Sequence, residues 1–227
     1  MFGFLPNPDG MNDPAWIDPA HPGAPVVIAC AAEYHEPPLL RLSLVQAQYQ
    51  ADPLARYKIR IVLEEGRRNQ AYYDKFNNIT IGVGHNMGSP GQEVNRPQFE
   101  TATRADYVTT KAGKNALVEP QVDNLFDADV RTALVYAPKL VANFDDLPPE
   151  AREVIVDLTF HLGPAGFKQF KDLRAALAER NWRQAAWDLA HKSRQPNSPP
   201  SGYHSQVPHR SNRNVILLIG LAERSSA

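Results

Sequence analysis

The sequence has a single cysteine, no long apolar run and no recognisable metal-binding motif. Cys30 stands alone among 227 residues, so no disulfide can form within the chain. The longest apolar run, residues 24–32, is far too short to cross a bilayer, and we expect no stable membrane insertion. The seven histidines are scattered, and no HExxH, paired CxxC or EF-hand spacing occurs. The sequence therefore predicts neither a metal nor another cofactor.

The N-terminus also lacks the features of a secretory signal peptide. Its first ten residues, MFGFLPNPDG, contain no basic residue and are interrupted by proline and glycine. We therefore expect the protein to be made in the cytoplasm without a signal peptide.

The charge is unevenly distributed along the chain. The formal net charge is -1, but residues 1–55 hold six acidic side chains and one basic side chain. From Gly166 onward, ten lysines or arginines face four acidic residues. A basic surface suits an anionic polymer, although an ordinary solvated surface is the alternative interpretation. No interleaved aromatic and basic motif supports nucleic-acid binding.

The stretch LEEGRRNQAYYDKFNNITIGVGH, residues 63–85, contains the most informative pattern. Apolar residues at helical spacing precede Gly66, which predicts a helix that ends at Glu65. Residues 75–78 have turn chemistry, and apolar residues then alternate with Thr80 and two glycines, as in a strand. We expect these glycines to leave one face of the strand bare, which suits a polymer lying close to the backbone.

Two carboxylates and a hydroxyl in this stretch could meet in one site. Hydrolysis of a glycosidic bond needs one carboxylic acid and a second carboxylate, and Glu65 and Asp74 can divide these roles. Each residue also has a simpler interpretation. A glutamate at a helix end is usually solvated, an aspartate in a turn usually serves the turn, and Thr80 suits a strand.

The spacing of these three residues resembles a known family. Glu65, Asp74 and Thr80, embedded in EEG and TIGVGH, are similar to the catalytic triad of the phage-type lysozymes of T-even and lambdoid phages, glycoside hydrolase family 24. The resemblance extends over residues 55–224 and fades over residues 86–118 and 192–207. It implies an α+β lysozyme-like fold, with a small lobe containing a β-hairpin, a larger helical lobe and a cleft between them.

The resemblance also implies a function. It predicts a muramidase that cuts the β-1,4 bond between N-acetylmuramic acid and N-acetylglucosamine in peptidoglycan, with bacterial lysis as the result. Glu65 would be the general acid, and Asp74 would be the general base on a water that Thr80 helps to orient. That arrangement inverts the sugar configuration, and the resemblance, rather than the spacing, favours inversion over retention.

Further positions carry roles over from the family. His85 and Asp129 are expected to form a structural ion pair. Five residues are candidates for substrate binding: Gly84, Phe160, His161, Asp188 and Arg210. His161 stands where the family has a glutamine that lines the cleft, so it is either a cleft residue or a helix-end histidine with a local partner.

The domain organisation is predicted from composition. Nine of the twenty prolines fall in the first 55 residues, which predicts an acidic, proline-rich extension over residues 1–54 and a catalytic domain over residues 55–227. The plainer interpretation of the extension is a segment packed against the domain, and a wall-binding module or delivery tag is the alternative. Helices are predicted over residues 119–137, 146–162, 172–180, 181–191 and 212–224, with a long loop over residues 193–207.

The biological context stays open at this stage. A monomer acting on peptidoglycan in the periplasm or cell wall would need a holin, a phage particle or a secretion apparatus to reach its substrate. An antibacterial effector or a phage-tail lysozyme would use the same chemistry. A non-catalytic peptidoglycan-binding protein is the alternative from another class, and retention of all three triad residues argues against it.

Overall fold

The structure is a computed structural model that describes residue 52 and residues 54–225. The predictions for Cys30 and for the proline-rich extension lie outside these residues, apart from Asp52 and Leu54. Within the described part of the chain, no helix combines the length and the apolar character that crossing a bilayer would require.

Over the described residues, the chain forms helices and one small sheet. In chain order the elements are α1 (Ala55–Glu65), β1 (Arg68–Tyr73), β2 (Ile79–Gly82), β3 (His85–Asn86), α2 (Arg96–Thr103), α3 (Tyr107–Lys111), α4 (Glu119–Leu140), a 3-10 helix (Phe144–Asp146), α5 (Pro149–Lys168), α6 (Lys171–Ala178), α7 (Trp182–Ala190), α8 (Gly202–Gln206) and α9 (Pro208–Ser225). The predicted α+β class is confirmed, because a mostly helical chain carries a small antiparallel sheet.

The chain divides into two compact units. The sheet unit comprises the described residues up to Ala137 together with Val156–Pro164. The helical unit comprises Pro138–Ile155 and the described residues from Ala165 onward.

Helix α1 ends where the sequence predicts. Ile61 and Val62 are buried on one side of the helix, and Gly66 follows Glu65 with a φ of 71°. The Gly66 N–H donates to the Val62 carbonyl, so the helix closes its last turn before the chain changes direction. A residue with a Cβ rarely adopts this backbone conformation, and glycine therefore fixes the position of Glu65 at the helix end.

The sheet has three antiparallel strands in the order β1-β2-β3. Tyr72 pairs with Thr80, and Ile81 pairs with His85. The predicted turn and the strand after it are present, whereas the short strand β3 was not predicted. A two-residue strand carries too little alternation to be recognised in a sequence.

The expectation of a bare strand face is wrong. All four residues of β2 are buried, including Thr80. A Cβ on Gly82 would lie 3.5 Å from Leu125 and 3.9 Å from Val122, two apolar side chains of α4. The positive φ of Gly82, 67°, interrupts the regular alternation of the strand, which is why the pattern misled the prediction.

The core of the sheet unit surrounds α4. Val122, Leu125, Phe126 and Val130 line the buried side of this helix, each at most 1% exposed. They pack in one cluster with Ile81 and other apolar residues of α1, the sheet, α2 and α3. Burial of this apolar stripe places the sheet and the end of α1 within the same packed unit.

The helical unit follows the predicted helices with shifted ends. Asn181 precedes α7, and its side chain accepts a hydrogen bond from the Gln184 N–H, as expected of a helix cap. Helix α8 lies inside the predicted loop. Helix α9 begins at Pro208, earlier than predicted, because proline is well accommodated in a first turn.

Two polar contacts with Asp129 join β3 and α2 to α4. Nδ1 of His85 lies 3.0 Å from both carboxylate oxygens of Asp129 in α4. The Gln98 side chain in α2 donates to the same carboxylate at 2.6 Å. The His85 side chain is 1% exposed and that of Asp129 14%, so little water competes for these bonds. Asp129 therefore holds α2, α4 and the residue after Gly84 together.

Replacing Asp129 with asparagine should lower the free energy of unfolding by about 2 kcal/mol, because one carboxylate oxygen becomes a donor beside buried donors. Urea unfolding followed by circular dichroism measures the loss. Asp145→Asn, the same change at an exposed site, should stay within about 0.5 kcal/mol of the parent protein. Equal losses in the two variants would show that Asp129 contributes no more than a surface carboxylate.

Candidate active site

The Glu65 carboxylate is confined on two sides. It projects from the last residue of α1, and its side chain is 19% exposed. On one side lies the backbone of Gly84, and on the other lies His161, whose Nδ1 is 3.3 Å from Glu65 Oε1. The structure thus brings three of the predicted site residues into direct contact.

Gly84 is required at its position for two reasons. Its φ is 72°, a conformation that other residues rarely adopt. A Cβ placed there would lie 2.9 Å from both Cδ and Oε2 of Glu65, closer than carbon atoms approach in practice. Gly84, predicted as a substrate residue, is therefore also the wall against which the Glu65 carboxylate rests.

Phe160 and His161 lie next to each other in α5 but face different surroundings. The ring of Phe160 packs edge-on against Phe126, with centroids 6.1 Å apart, at the margin of the core of the sheet unit. The His161 side chain is 27% exposed and reaches Glu65. Two residues later, Gly163 has a φ of 65° and breaks the helix, so His161 occupies the end of a helical segment.

Asp74 is held by the turn that it begins. Its Oδ1 accepts hydrogen bonds from the N–H groups of Phe76 and Asn78, both at 2.8 Å. Its Oδ2 accepts from the Asn78 side chain at 3.1 Å. Three donors fix the carboxylate in one orientation, and Oδ2, with one donor, keeps capacity for a further hydrogen bond.

Tyr72 is related to the three predicted catalytic positions through strand pairing and through charge. It pairs with Thr80 across the sheet, and Asp74 lies two residues further along the chain. Burial raises the pKa of Tyr72, and the negative charges of Glu65 and Asp74 raise it further. Both carboxylates therefore act on the same phenol, whose hydroxyl stays protonated at neutral pH.

Sequence reasoning missed both Tyr72 and its partner Arg68. The Arg68 guanidinium carbon lies 4.2 Å from the centroid of the Tyr72 ring, a cation–π contact. Its positive charge opposes the rise in the pKa of Tyr72. Spacing alone could not predict this contact, because the register of β1 shifts between Arg68 and Tyr72.

A pocket of about 300 Å³ adjoins the Glu65 site. Gly84 and His161 lie on its wall, and Asn86, Gln98 and Asp129 supply polar groups. Its volume lies at the lower end of the range for small-molecule pockets.

Two predicted substrate residues lie in the helical unit. The Asp188 carboxylate accepts hydrogen bonds from Gln184 at 2.8 Å and from Arg194 at 2.8 Å, and its side chain is 5% exposed. Arg210 is buried in α9.

The acidic and histidine side chains do not assemble into a metal site in the described residues. No three His, Cys, Asp or Glu side chains of that part of the chain come together closely enough to hold an ion.

Comparison with known proteins bears on this geometry. A family model described as phage lysozyme matches residues 63–197, more than half of the chain. The match begins just before Glu65 and covers Asp74, Thr80, Gly84 and His161.

Two curated relatives come from Dictyostelium discoideum. "Probable T4-type lysozyme 2" is 24% identical over 163 residues, which are 68% of this chain and 88% of that protein. "Probable T4-type lysozyme 1" is 22% identical over 160 residues, with the same shares of the two chains.

Changing Gly84 to alanine should reduce hydrolysis of a peptidoglycan suspension about 100-fold, because the new Cβ displaces the Glu65 carboxylate. Gly113→Ala is the matched control. Gly113 has a φ of 73° and open space around its Cβ position, so this variant carries the backbone strain without the contact. Both variants should lose about 1–2 kcal/mol of stability. If Gly84→Ala kept the turnover of Gly113→Ala, the contact with Glu65 would not matter for activity.

Proposed function

This chain belongs to the phage lysozyme family, and from that premise we propose that it cleaves peptidoglycan as an inverting N-acetylmuramidase. It is a lysozyme, a glycoside hydrolase. The proposal adds the bond, the residue roles and the stereochemistry. The bond is the β-1,4 linkage between N-acetylmuramic acid and N-acetylglucosamine, and its hydrolysis causes lysis of the bacterial wall.

Glu65 is the general acid in this proposal. It protonates the glycosidic oxygen as the bond to the sugar carbon breaks. The observation that carries the assignment is the confinement of its carboxyl group between Gly84 and His161. A proton donor must be aligned with the leaving oxygen, and a side chain in a fixed position meets that requirement better than a freely solvated one.

Asp74 is the general base. It removes a proton from the attacking water, while Thr80 contributes an oxygen that orients this water. The hydrogen bonds from Phe76 and Asn78 support the role, because they hold the carboxylate and occupy mainly Oδ1. Tyr72 pairs with Thr80, and Asp74 follows Tyr72 by two residues, which supports placement of Asp74 and Thr80 at the same end of the sheet.

The remaining site residues complete the proposal. Phe160, Asp188 and Arg210 are assigned to substrate binding, together with Gly84, while His161 lies against Glu65. The pocket beside Gly84 offers amide and carboxylate groups of the kind that hydrogen-bond to sugar hydroxyl and acetamido groups.

We place the catalytic domain in residues 55–227 and a separate extension in residues 1–54. Synthesis in the cytoplasm, with access to the periplasm or cell wall through a holin, a phage particle or a secretion apparatus, fits a peptidoglycan substrate. The helical unit contributes to recognition through its excess of basic residues, which attracts the anionic wall polymer.

Replacing Glu65 with glutamine should lower turnover on purified glycan strands by 10²- to 10⁴-fold, because the amide fits the same space but cannot donate the required proton. The release of new reducing ends measures the rate and, after end-group analysis, identifies the sugar at the cut. Glu100→Gln, the same change in α2 where Glu100 pairs with Arg96, should retain the parent rate.

Three outcomes of this experiment are informative. A parent protein that binds glycan strands but releases no reducing ends would be a non-catalytic binder, which overturns the proposed function. An active parent with an active Glu65→Gln variant would remove Glu65 from the role of acid. N-acetylglucosamine at the new reducing end would identify a glucosaminidase.

The stereochemistry of the product tests the role of Asp74. An inverting enzyme cutting a β bond should release the α-anomer first, so proton NMR spectra in the first minutes should show the α-anomeric signal ahead of the β signal. The free product sugar at the same pH gives the rate of mutarotation as a control. If the β-anomer appeared first, the configuration would be retained, and the role of Asp74 as the base of an inverting reaction would be refuted.

A further inference from the structure

His161 contacts the proposed general acid through one particular ring nitrogen. Nδ1 lies 3.3 Å from Glu65 Oε1, within hydrogen-bond range. Both side chains are partly buried, at 27% and 19% exposure, so water weakens the contact less than it would at the surface.

We propose that His161 is a positioning residue that holds the Glu65 carboxyl group in the orientation needed for proton donation. The inference rests on the proposed function, because it assigns His161 to the same site. It differs from the cleft-lining role implied by the family resemblance, in which the side chain at this position meets the substrate.

The contacts on the two carboxylate oxygens carry the argument. Oε2 and Cδ of Glu65 rest against Gly84, where a Cβ would approach to 2.9 Å, while Oε1 faces His161. A glutamate side chain has three rotatable bonds and loses substantial freedom when it is fixed. Gly84 limits its movement on one side by contact alone, and the hydrogen bond with His161 on the other side acts on the rotation of the carboxyl plane.

The backbone around His161 is suited to hold it. Phe160 anchors the preceding position through its packing against Phe126. Gly163 then breaks the helix with a φ of 65°, and Pro164 follows it. His161 is therefore fixed near the end of a helical segment whose direction is set by the core.

The geometry distinguishes two replacements. The amide of asparagine occupies about the place of histidine Nδ1, whereas the amide of glutamine extends to about the place of Nε2. His161→Asn therefore preserves the group that faces Glu65. His161→Gln preserves a polar group further out, at about the position of Nε2. His161→Leu removes both.

Steady-state kinetics on soluble glycan strands separate the two roles. If His161 positions Glu65, His161→Leu should lower kcat 10- to 100-fold with KM changed less than three-fold. His161→Asn should recover kcat to within about three-fold of the parent value, and His161→Gln should recover less. Recovery by glutamine rather than asparagine, or a rise in KM with kcat unchanged, would overturn the proposal in favour of substrate contact.

A second measurement asks whether His161 acts through Glu65. In the Glu65→Gln background, adding His161→Leu should leave the residual kcat unchanged, because the group to be positioned has already been removed. A further loss of ten-fold or more would show an independent role and overturn the proposal. Thermal unfolding of each variant confirms that it is folded at the assay temperature.

The same experiments separate this inference from the proposed function. An inactive parent protein would refute the function itself. An active parent, an inactive Glu65→Gln variant and a normal His161→Leu variant would leave the function intact and refute only the role of His161.

Discussion

The confinement of one carboxyl group organises the site. The end of α1 at Gly66 brings Glu65 out of the helix, and the Gly84 backbone stands where any larger residue would collide with its carboxylate. Gly84 is held in place in turn, because the next residue, His85, is bound to Asp129 in the core helix α4. The position of the acid therefore depends on packing and hydrogen bonds that lie outside the reacting groups.

The sheet connects Glu65 to the other two residues of the proposed triad. Its shortest strand, β3, follows Gly84, and its central strand, β2, carries Thr80. Tyr72 on β1 pairs with Thr80, and the negative charges of Glu65 and Asp74 add to the rise in its pKa that burial causes. A sheet of only three strands can hold these groups because α4 covers it with apolar side chains, and the backbone pairing is thereby protected from water.

The sequence predicted elements with strong local signals and missed those that depend on tertiary contacts. The end of α1 was predictable because Gly66 has a local conformational reason to follow a helix. The burial of Gly82 against Leu125 was not predictable, because it depends on a positive φ and on packing against α4. The contact of His161 with Glu65 joins residues 96 positions apart, and no periodicity in the sequence records such a pairing. The Glu, Asp and Thr spacing suggested the chemistry, whereas only the fold showed which neighbours contact Glu65.

The two interpretations of Asp74 that the sequence left open are compatible with each other. An aspartate that serves a turn and one that serves catalysis were treated as alternatives, yet the turn bonds from Phe76 and Asn78 fix the carboxylate. A general base benefits from such fixation, since each rotation that is frozen before the substrate arrives need not be frozen during the reaction. Because Oδ1 takes both backbone bonds, Oδ2 is the oxygen with capacity for a water proton. The hydrogen bonds that hold Asp74 in the turn therefore also suit its carboxylate to act as a base.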